Sequence, residues 1–426
     1  MKAELAKLAR EALATSEFKQ FGDALSTQAL PESFGVLTDS ALMTKIAVQL
    51  RDGDPMHWIT RARTWDASLY HPSIAFDAAD NLLHLLWQDL STRLARKVDA
   101  VAHRTPLAAR GAVLCFFGRA QFSIVVEYTR SGGGAVSLRP LAALADPNGV
   151  FELSNLLDGA TPEIRNAVKN AAMSVDKLVF QRGSIVHVDR QREDVFGPTI
   201  DTVILGELVA EWLDTKTRES KVVALEIGPG SGLLSVLLGS SDCVRALIAV
   251  DLNDAAVTCT LKNLKINDIT LDAKHQRVRV RAEKFDPAQL VDQFDFIVCN
   301  PPYIPDVPDA VESTSPSMKE YDRAVGGLDL CLEILGNLPE LLAPKGVLLL
   351  MTSSVSDREV MACLPDGFEA SPALGADGRR VPLDVDVVWR RQEWRDWLLS
   401  GGRIERDERG GLWHRLRPFW VKRKEG

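Results

Sequence analysis

A strand, a glycine-rich turn, a helix, a second strand and an acid follow one another between residues 222 and 251. Few folds accommodate that order. Val222-Val223-Ala224-Leu225 is a short β-branched and aliphatic run, and Leu233-Leu234-Ser235-Val236-Leu237-Leu238 reads as the apolar face of a helix. Glu226-Ile227-Gly228-Pro229-Gly230-Ser231-Gly232 lies between them, so the glycines occupy a strand-to-helix turn, where open α/β sheets bind ligands. Without β-carbons, Gly228, Gly230 and Gly232 let the backbone turn sharply and come close to a bound nucleoside. Glu226 ends the strand at the same crevice. Ala246-Leu247-Ile248-Ala249-Val250 forms the second strand and ends in Asp251, about twenty residues past the last glycine, where a carboxylate would accept both ribose hydroxyls. A dinucleotide fingerprint requires glycine at 233. This chain has Leu233 there.

The spacing, with an acid two residues before the first glycine, resembles motif I of the class I S-adenosylmethionine-dependent methyltransferases. That resemblance implies a Rossmann-like α/β domain with a seven-stranded sheet and S-adenosyl-L-methionine as cofactor. Glu226, Gly228, Gly230, Gly232, Asp251 and the adjacent Leu252 fall at its cofactor-binding positions. Residues 254–264 carry Ala255, Ala256, Cys259, Leu261 and Leu264 at helical spacing, and Val278-Arg279-Val280 alternates as a third strand. Glu283 follows it, where the family often has an acid contacting the adenine amino group; the nearest relatives carry Asp there.

Downstream, Asn300-Pro301-Pro302-Tyr303 follows the apolar strand Phe296-Ile297-Val298. Methyl transfer from a sulfonium is an in-line displacement, so the site must hold the nucleophile close with its lone pair aligned. An amide or aromatic amino nitrogen is a poor nucleophile because its lone pair is delocalised. Two acceptors for its two hydrogens favour a less conjugated geometry, and the Asn300 side-chain oxygen with the Pro301 carbonyl could supply them. The paired prolines Pro301 and Pro302 fix φ and add no donor. Tyr303 offers a flat face for a planar group. These four residues are the catalytic candidates, and Asn300 borders the cofactor as well.

They resemble motif IV of the amino-methyltransferases, whose members act on protein glutamine amides, on N6 of adenine or on N2 of guanine. The string Phe294-Asp295-Phe296-Ile297-Val298-Cys299-Asn300-Pro301-Pro302-Tyr303-Ile304-Pro305 looks most like the HemK/PrmC-type protein glutamine methyltransferases. Val195-Phe196-Gly197-Pro198-Thr199-Ile200-Asp201-Thr202 resembles that family's Pro-Arg-Pro-x-Thr-Glu segment, without its arginine. Arg323-Ala324-Val325-Gly326-Gly327-Leu328-Asp329-Leu330 resembles its Ala-Leu-x-Gly-Gly-x-Asp-Gly-Leu segment, with Leu330 in place of glycine, and the strand Val347-Leu348-Leu349-Leu350-Met351 lies further on. The resemblance implies N-methyl transfer to a protein glutamine side chain. Transfer to an exocyclic amino group of adenine or guanine in RNA or DNA is the alternative, and a non-catalytic binding module on the same fold is the third reading.

At 426 residues, with 46% apolar and 25% charged residues, the chain fits a two-domain soluble enzyme. No apolar run approaches a membrane span, and the start at Met1 reads as an amphipathic helix. Cys115, Cys243, Cys259, Cys299, Cys331 and Cys363 are scattered without a C-x-x-C pair; a reducing cytoplasm and no metal site are expected. The boundary falls within residues 175–195, giving an N-terminal α+β domain at 1–176, a candidate for substrate recognition, and a catalytic domain at 177–426. In the first, residues 2–20, 40–51, 75–101 and 161–175 read as helices, and 111–117 and 122–128 as strands. Lys177-Leu178-Val179-Phe180 and Ser184-Ile185-Val186-His187-Val188 read as a hairpin around Arg182-Gly183, leading into the catalytic domain.

The C-terminal stretch interleaves Trp389, Trp394, Trp397, Trp413 and Trp420 with many arginines. Such a pattern could grip phosphates and stack bases. It also fits a helix and a closing strand over 412–421 with tryptophans packed inside, the favoured reading because aromatics are usually core residues. The net charge of −8 weighs against a large nucleic-acid footprint.

Overall fold

The structure, a computed structural model, describes residues 78–117, 122–131, 135–144, 176–189, 194–195, 197–269, 277–290, 293–304, 328–383, 392–408 and 410–424. The helices expected at 2–20, 40–51 and 161–175 lie outside the described residues, as does the segment 305–327 after the Asn-Pro-Pro-Tyr turn. The chain divides into two compact units, Met1–Gln191 and Arg192–Gly426.

In the first unit, α1 (Ala78–Arg104) precedes β1 (Arg110–Phe117), β2 (Phe122–Arg130), β3 (Val136–Leu144), β4 (Asp176–Gln181) and β5 (Ser184–Asp189). Leu94, Val98 and Val101 of α1 are fully buried, a spacing of four and three that places them on one helix face. The described strands form a five-stranded sheet in the order β3-β2-β1-β4-β5, parallel between β1 and β4 and antiparallel elsewhere. Arg182 and Gly183 turn the β4–β5 hairpin with φ of 51° and 77°, the two positive values of a turn whose twist matches its strands. The hairpin belongs to this unit. Its parallel ladder from Leu178 to Val113 ties it to β1, so the boundary expected after residue 176 moves to 191. Strand β3 was not anticipated: Pro140 within it weakens a strand reading, and it sits at the sheet edge, where a missing N–H is tolerated.

The second unit begins with α2 (Ile200–Asp214), β6 (Val222–Ile227), α3 (Leu233–Ser240), β7 (Val244–Asp251), α4 (Asp254–Ile266), β8 (Val278–Ala282) and β9 (Phe294–Cys299). It continues through α5 (Asp329–Leu341), β10 (Leu342–Leu350), α6 (Asp357–Ala362), β11 (Phe368–Pro372), β12 (Arg379–Pro382), α7 (Gln392–Ser400), β13 (Glu405–Arg406), β14 (Leu412–Leu416) and β15 (Phe419–Arg423). Its main sheet has seven strands in the order β11-β15-β10-β9-β6-β7-β8. Strands β6 to β10 run parallel, and β15 runs antiparallel to both neighbours. The chain lays down β6, β7 and β8 outward on one side, then returns to place β9 against β6. The expected seven-stranded Rossmann-like sheet is therefore the fold.

Alternation along the strands clothes both faces. Leu225, Ile248, Ile297 and Leu348 pack in one cluster with Ile334, Leu335 and Leu338 of α5. On the opposite face Phe296 stacks on Trp212 of α2, with ring centroids 4.3 Å apart. The closing strand expected over 412–421 splits at Arg417-Pro418. Leu412–Leu416 joins a small three-stranded sheet, β12-β14-β13, while Phe419–Arg423 enters the main sheet.

Gly346 lies in the irregular stretch of β10 between Leu342 and Val347. A β-carbon there would come within 2.5 Å of the Phe294 carbonyl oxygen, a backbone atom held by the β9 ladder. Gly346→Ala is expected to lower the stability of this unit by about 1–3 kcal/mol, measured by urea unfolding.

Candidate active site

Ile227, the last residue of β6, pairs with Cys299, the last of β9. Since both strands run the same way, the glycine turn and the Asn-Pro-Pro-Tyr turn leave the sheet side by side, at the reversal of strand order where open α/β sheets form a crevice. Gly228, Gly230 and Gly232 have φ of 73°, 54° and 81°, the left-handed region that side chains with a β-carbon avoid. Two of them differ in what surrounds them. A β-carbon on Gly232 would press within 2.9 Å of the Thr260 backbone, whereas one on Gly228 would meet nothing within 4 Å. The turn thus packs against α4 on one side and faces open space on the other. Thr260 and Asn263 of α4 donate to the Gly230 and Ser231 carbonyls at 3.1 and 2.8 Å, holding it there.

Asp251 bridges the two βα turns. Its carboxyl oxygens accept from the backbone N–H of Gly230 at 3.0 Å and of Asn253 at 2.9 Å. A carboxylate offers about four acceptor positions, so lone pairs remain for a diol. Leu252 beside it is 77% exposed, an apolar surface on which a flat ring could rest. Glu283 is brought to the same edge by its N–H bond to the Asp251 carbonyl, 3.0 Å, and its carboxylate pairs with Arg281 at 3.2 Å. Glu226 is buried beneath the turn, accepts a short hydrogen bond from the Ser235 hydroxyl, and has its pKa raised to about 8 by burial.

The half-buried Asn300 side chain donates through Nδ2 to the Thr202 hydroxyl at 3.1 Å. Its Oδ1 is buried and has no hydrogen-bond partner among the described residues. A buried acceptor left open beside the glycine turn is the arrangement a donor ligand would complete. Tyr303 donates to Asp201 Oδ2 at 3.2 Å, and loss of solvent around its hydroxyl together with the Asp201 carboxyl raises its pKa well above the usual tyrosine range. Pro301 is buried, and Pro302 lies half-buried in the same turn.

Asp201 and Thr202, in the first turn of α2, were not singled out from sequence. The signal was present in the segment ending Thr199-Ile200-Asp201-Thr202, which is a helix-start pattern. Thr199 is the N-cap, and Thr202 closes a capping box with it. A cap needs only local partners, so nothing in the sequence pointed across to residues 300 and 303.

The far side of Tyr303 is anchored by the insertion between β11 and β15 and by the turn between β10 and α6. Ile304 is buried with Val355, Leu383, Leu398, Ile404 and Leu412, and Tyr303 packs on that cluster. Ser356 donates to the Tyr303 carbonyl at 2.5 Å, and His414, neutral because burial lowers its pKa to about 4, stacks near the Tyr303 ring at 6.1 Å. Among the described residues, several basic and aromatic side chains of this stretch are engaged internally. Glu405 pairs with Arg380 and Arg415, Glu359 with Arg403 and Asp357 with Arg417, while Trp413 donates to Asp407 and lies under Arg380. Trp397 remains 48% exposed.

The methyltransferase small domain family model matches residues 200–314, which span the first turn of α2, the glycine turn and the Asn-Pro-Pro-Tyr turn. The chain is similar to Methyltransferase HEMK2 of Mus musculus, 30% identical over 209 residues, covering 47% of this chain and 92% of that protein. It is similar to the tRNA1(Val) (adenine(37)-N6)-methyltransferase of Shewanella sediminis, 31% identical over 189 residues, covering 43% and 71%. Release factor glutamine methyltransferase of Aliivibrio fischeri is 36% identical over 108 residues, covering 25% and 34%.

The buried Glu226 carries a pH signature. Its folded pKa of about 8 exceeds the 4.5 of a free glutamate, so between those values the folded chain keeps a proton that the unfolded chain releases. Stability from this group is complete below 4.5 and lost as pH rises through 8. Glu226→Gln should therefore gain on the native chain as pH increases, the difference in melting temperature shifting by about 2 °C or more between pH 5 and pH 9. A constant difference would show that Glu226 is ionised in the folded protein.

Proposed function

The chain belongs to the class I S-adenosylmethionine-dependent methyltransferases, and on that footing we propose that it methylates a planar amide or exocyclic amino nitrogen held at Asn300. The observation that carries this is the buried, unpartnered Oδ1 of Asn300 beside the glycine turn. The residues fit the cofactor: Gly228 has open space where a β-carbon would point, Asp251 keeps free lone pairs, and Leu252 offers an apolar face. Asp251 would hold the ribose, Leu252 the adenine, and Gly228 and Gly230 would allow close approach of the backbone. Glu283 would reach the adenine amino group while paired with Arg281. Bound there, S-adenosylmethionine supplies an electrophilic methyl group on sulfur.

The chain's own part is to hold the acceptor. Asn300 Oδ1 and the Pro301 carbonyl would each take one hydrogen of the acceptor NH2, which aims the nitrogen lone pair and favours its pyramidal form. The Pro301-Pro302 pair holds that carbonyl in a stiff turn. Tyr303, its hydroxyl tied to Asp201, would cover one face of the planar group.

As acceptor we propose a protein glutamine side chain. The glutamine methyltransferase relative supports it, and so does the internal pairing of Arg380, Arg403, Arg415 and Arg417, which leaves those cations less free for phosphates. The tRNA adenine methyltransferase relative favours a second reading, transfer to a base amino group. A cytoplasmic location belongs to the same proposal and is supported by six cysteines that are all unpaired.

Methyl-tritiated S-adenosylmethionine incubated with the protein and a cell extract separates the two. Label released by protease and resistant to nuclease is the expected result; release by nuclease selects the base. Asn300→Ala should reduce transfer at least about 100-fold, with S-adenosylhomocysteine affinity by calorimetry within about threefold of native. Asp251→Ala should instead weaken that affinity by about 10- to 100-fold. Full transfer by Asn300→Ala would remove the basis of the proposal.

A further inference from the structure

The methyl-transfer reading requires Asn300 to present oxygen, not nitrogen, to the acceptor. An amide can sit either way round, since its two ends have the same shape and opposite hydrogen-bond character. What fixes the orientation lies in the first turn of α2. Asp201 Oδ1 receives the Thr199 hydroxyl proton in a short hydrogen bond and the Thr202 backbone N–H at 2.8 Å. Its Oδ2 receives the Tyr303 hydroxyl. With its one proton committed to the carboxyl group, the Thr199 oxygen can only accept from its other neighbour, the Thr202 hydroxyl at 3.3 Å. Thr202 can alternatively donate to Asp201 Oδ1 itself, at 3.5 Å. In both arrangements the Thr202 proton points away from Asn300, and a lone pair is left facing the amide. Only the NH2 end of the amide matches a lone pair.

We propose that Asp201, acting through the hydroxyls of Thr199 and Thr202, sets the orientation of the Asn300 amide, so that Thr202 and Asp201 are positioning residues for methyl transfer. The proposal rests on the reading of Asn300 as the acceptor-nitrogen clamp. The sequence of donors runs one way, from Asn300 Nδ2 to Thr202, from Thr202 to Thr199, and from Thr199 to the carboxyl group. Each link strengthens the next. The same carboxyl group ties down Tyr303, so one side chain orders both ends of the Asn-Pro-Pro-Tyr turn. Reversing the amide would aim two hydrogens at the acceptor's own NH2 and make Thr202 turn its proton away from Thr199 and Asp201 to meet the amide oxygen.

The test uses the full chain, methyl-tritiated S-adenosylmethionine and a desalted cell extract, with the transfer rate taken at saturating extract. Thr202→Val keeps the shape and removes the lone pair; Thr202→Ser keeps the lone pair. Thr202→Val is expected to slow transfer by about 10- to 100-fold while S-adenosylhomocysteine affinity stays within about threefold, and Thr202→Ser to remain within about threefold of the native rate. A second comparison removes the need for orientation. In Asn300→Asp the two carboxyl oxygens are equivalent, so adding Thr202→Val should change that variant's rate by less than about threefold, a non-additive pair. The proposal is overturned by a native rate in Thr202→Val, by Thr202→Ser as slow as Thr202→Val, or by equal slowing in the native and Asn300→Asp backgrounds. If Asn300→Asp has no measurable rate, the Ser and Val contrast decides alone. A native rate in Asn300→Ala is a different failure: it removes the clamp reading itself, before Thr202 is considered.

Discussion

Ile227 and Cys299 stand opposite each other in the ladder between β6 and β9, and the features of the candidate site descend from that pairing. Residues 72 positions apart in sequence become neighbours because the chain builds three strands outward, then returns to the first. Parallel direction places both strand ends at one edge, so two turns of unrelated composition share a crevice. The core enforces the register. A slip of one residue would turn Leu225 and Ile297 away from α5 and send Glu226 into the apolar cluster instead.

A second constraint is imposed on this frame from outside the sheet. The helix α2 is apolar nearly all round, with Val203, Ile204, Leu205, Leu208 and Val209 buried, and Trp212 locks it on Phe296 of β9. Its first turn is thereby fixed over the end of the same strand. Asp201 is 6% exposed, yet both its oxygens are satisfied by donors. A buried carboxyl group is tolerable on those terms. The stability of the cap and the geometry of the proposed site thus draw on the same hydrogen bonds.

Much of this was legible in the residues. Strand periods are clear at β6 and β9 and along most of β7, which are buried on both faces and read as aliphatic runs, while β8 at the sheet edge alternates. The glycines announced a turn because positive φ demands them, and φ at Gly228, Gly230 and Gly232 is positive. Three things resisted reading. The hairpin β4–β5 looked like an entry to the second unit because sequence shows adjacency along the chain, whereas its ladder to β1 depends on strands 65 residues apart, as Val113↔Leu178 shows. The apparent long strand at 412–421 hid the break at Pro418, which divides two sheets that share one hydrophobic pattern. Asp201 and Thr202 carried a cap signature that is complete in itself, and a polar pattern satisfied locally gives no sign of a distant partner.

The tryptophan- and arginine-rich stretch shows why composition and placement must be weighed together. Read along the chain, it alternates cations and rings as a nucleic-acid grip would. Folded, Arg380 and Arg415 converge on Glu405, and Trp413 is held between Arg380 and Asp407. Leu383, Leu398, Ile404 and Leu412 of the same stretch form a small core with Ile304, the residue that follows Tyr303. The turn proposed to clamp the acceptor is therefore gripped on one side by the first turn of α2 and on the other by an insertion within the sheet. A planar NH2 group on glutamine and one on a purine ask the same of Asn300, so that residue cannot separate them. Discrimination falls to whatever shapes the space beyond Tyr303, and the insertion is the described element whose core Tyr303 and Ile304 enter directly.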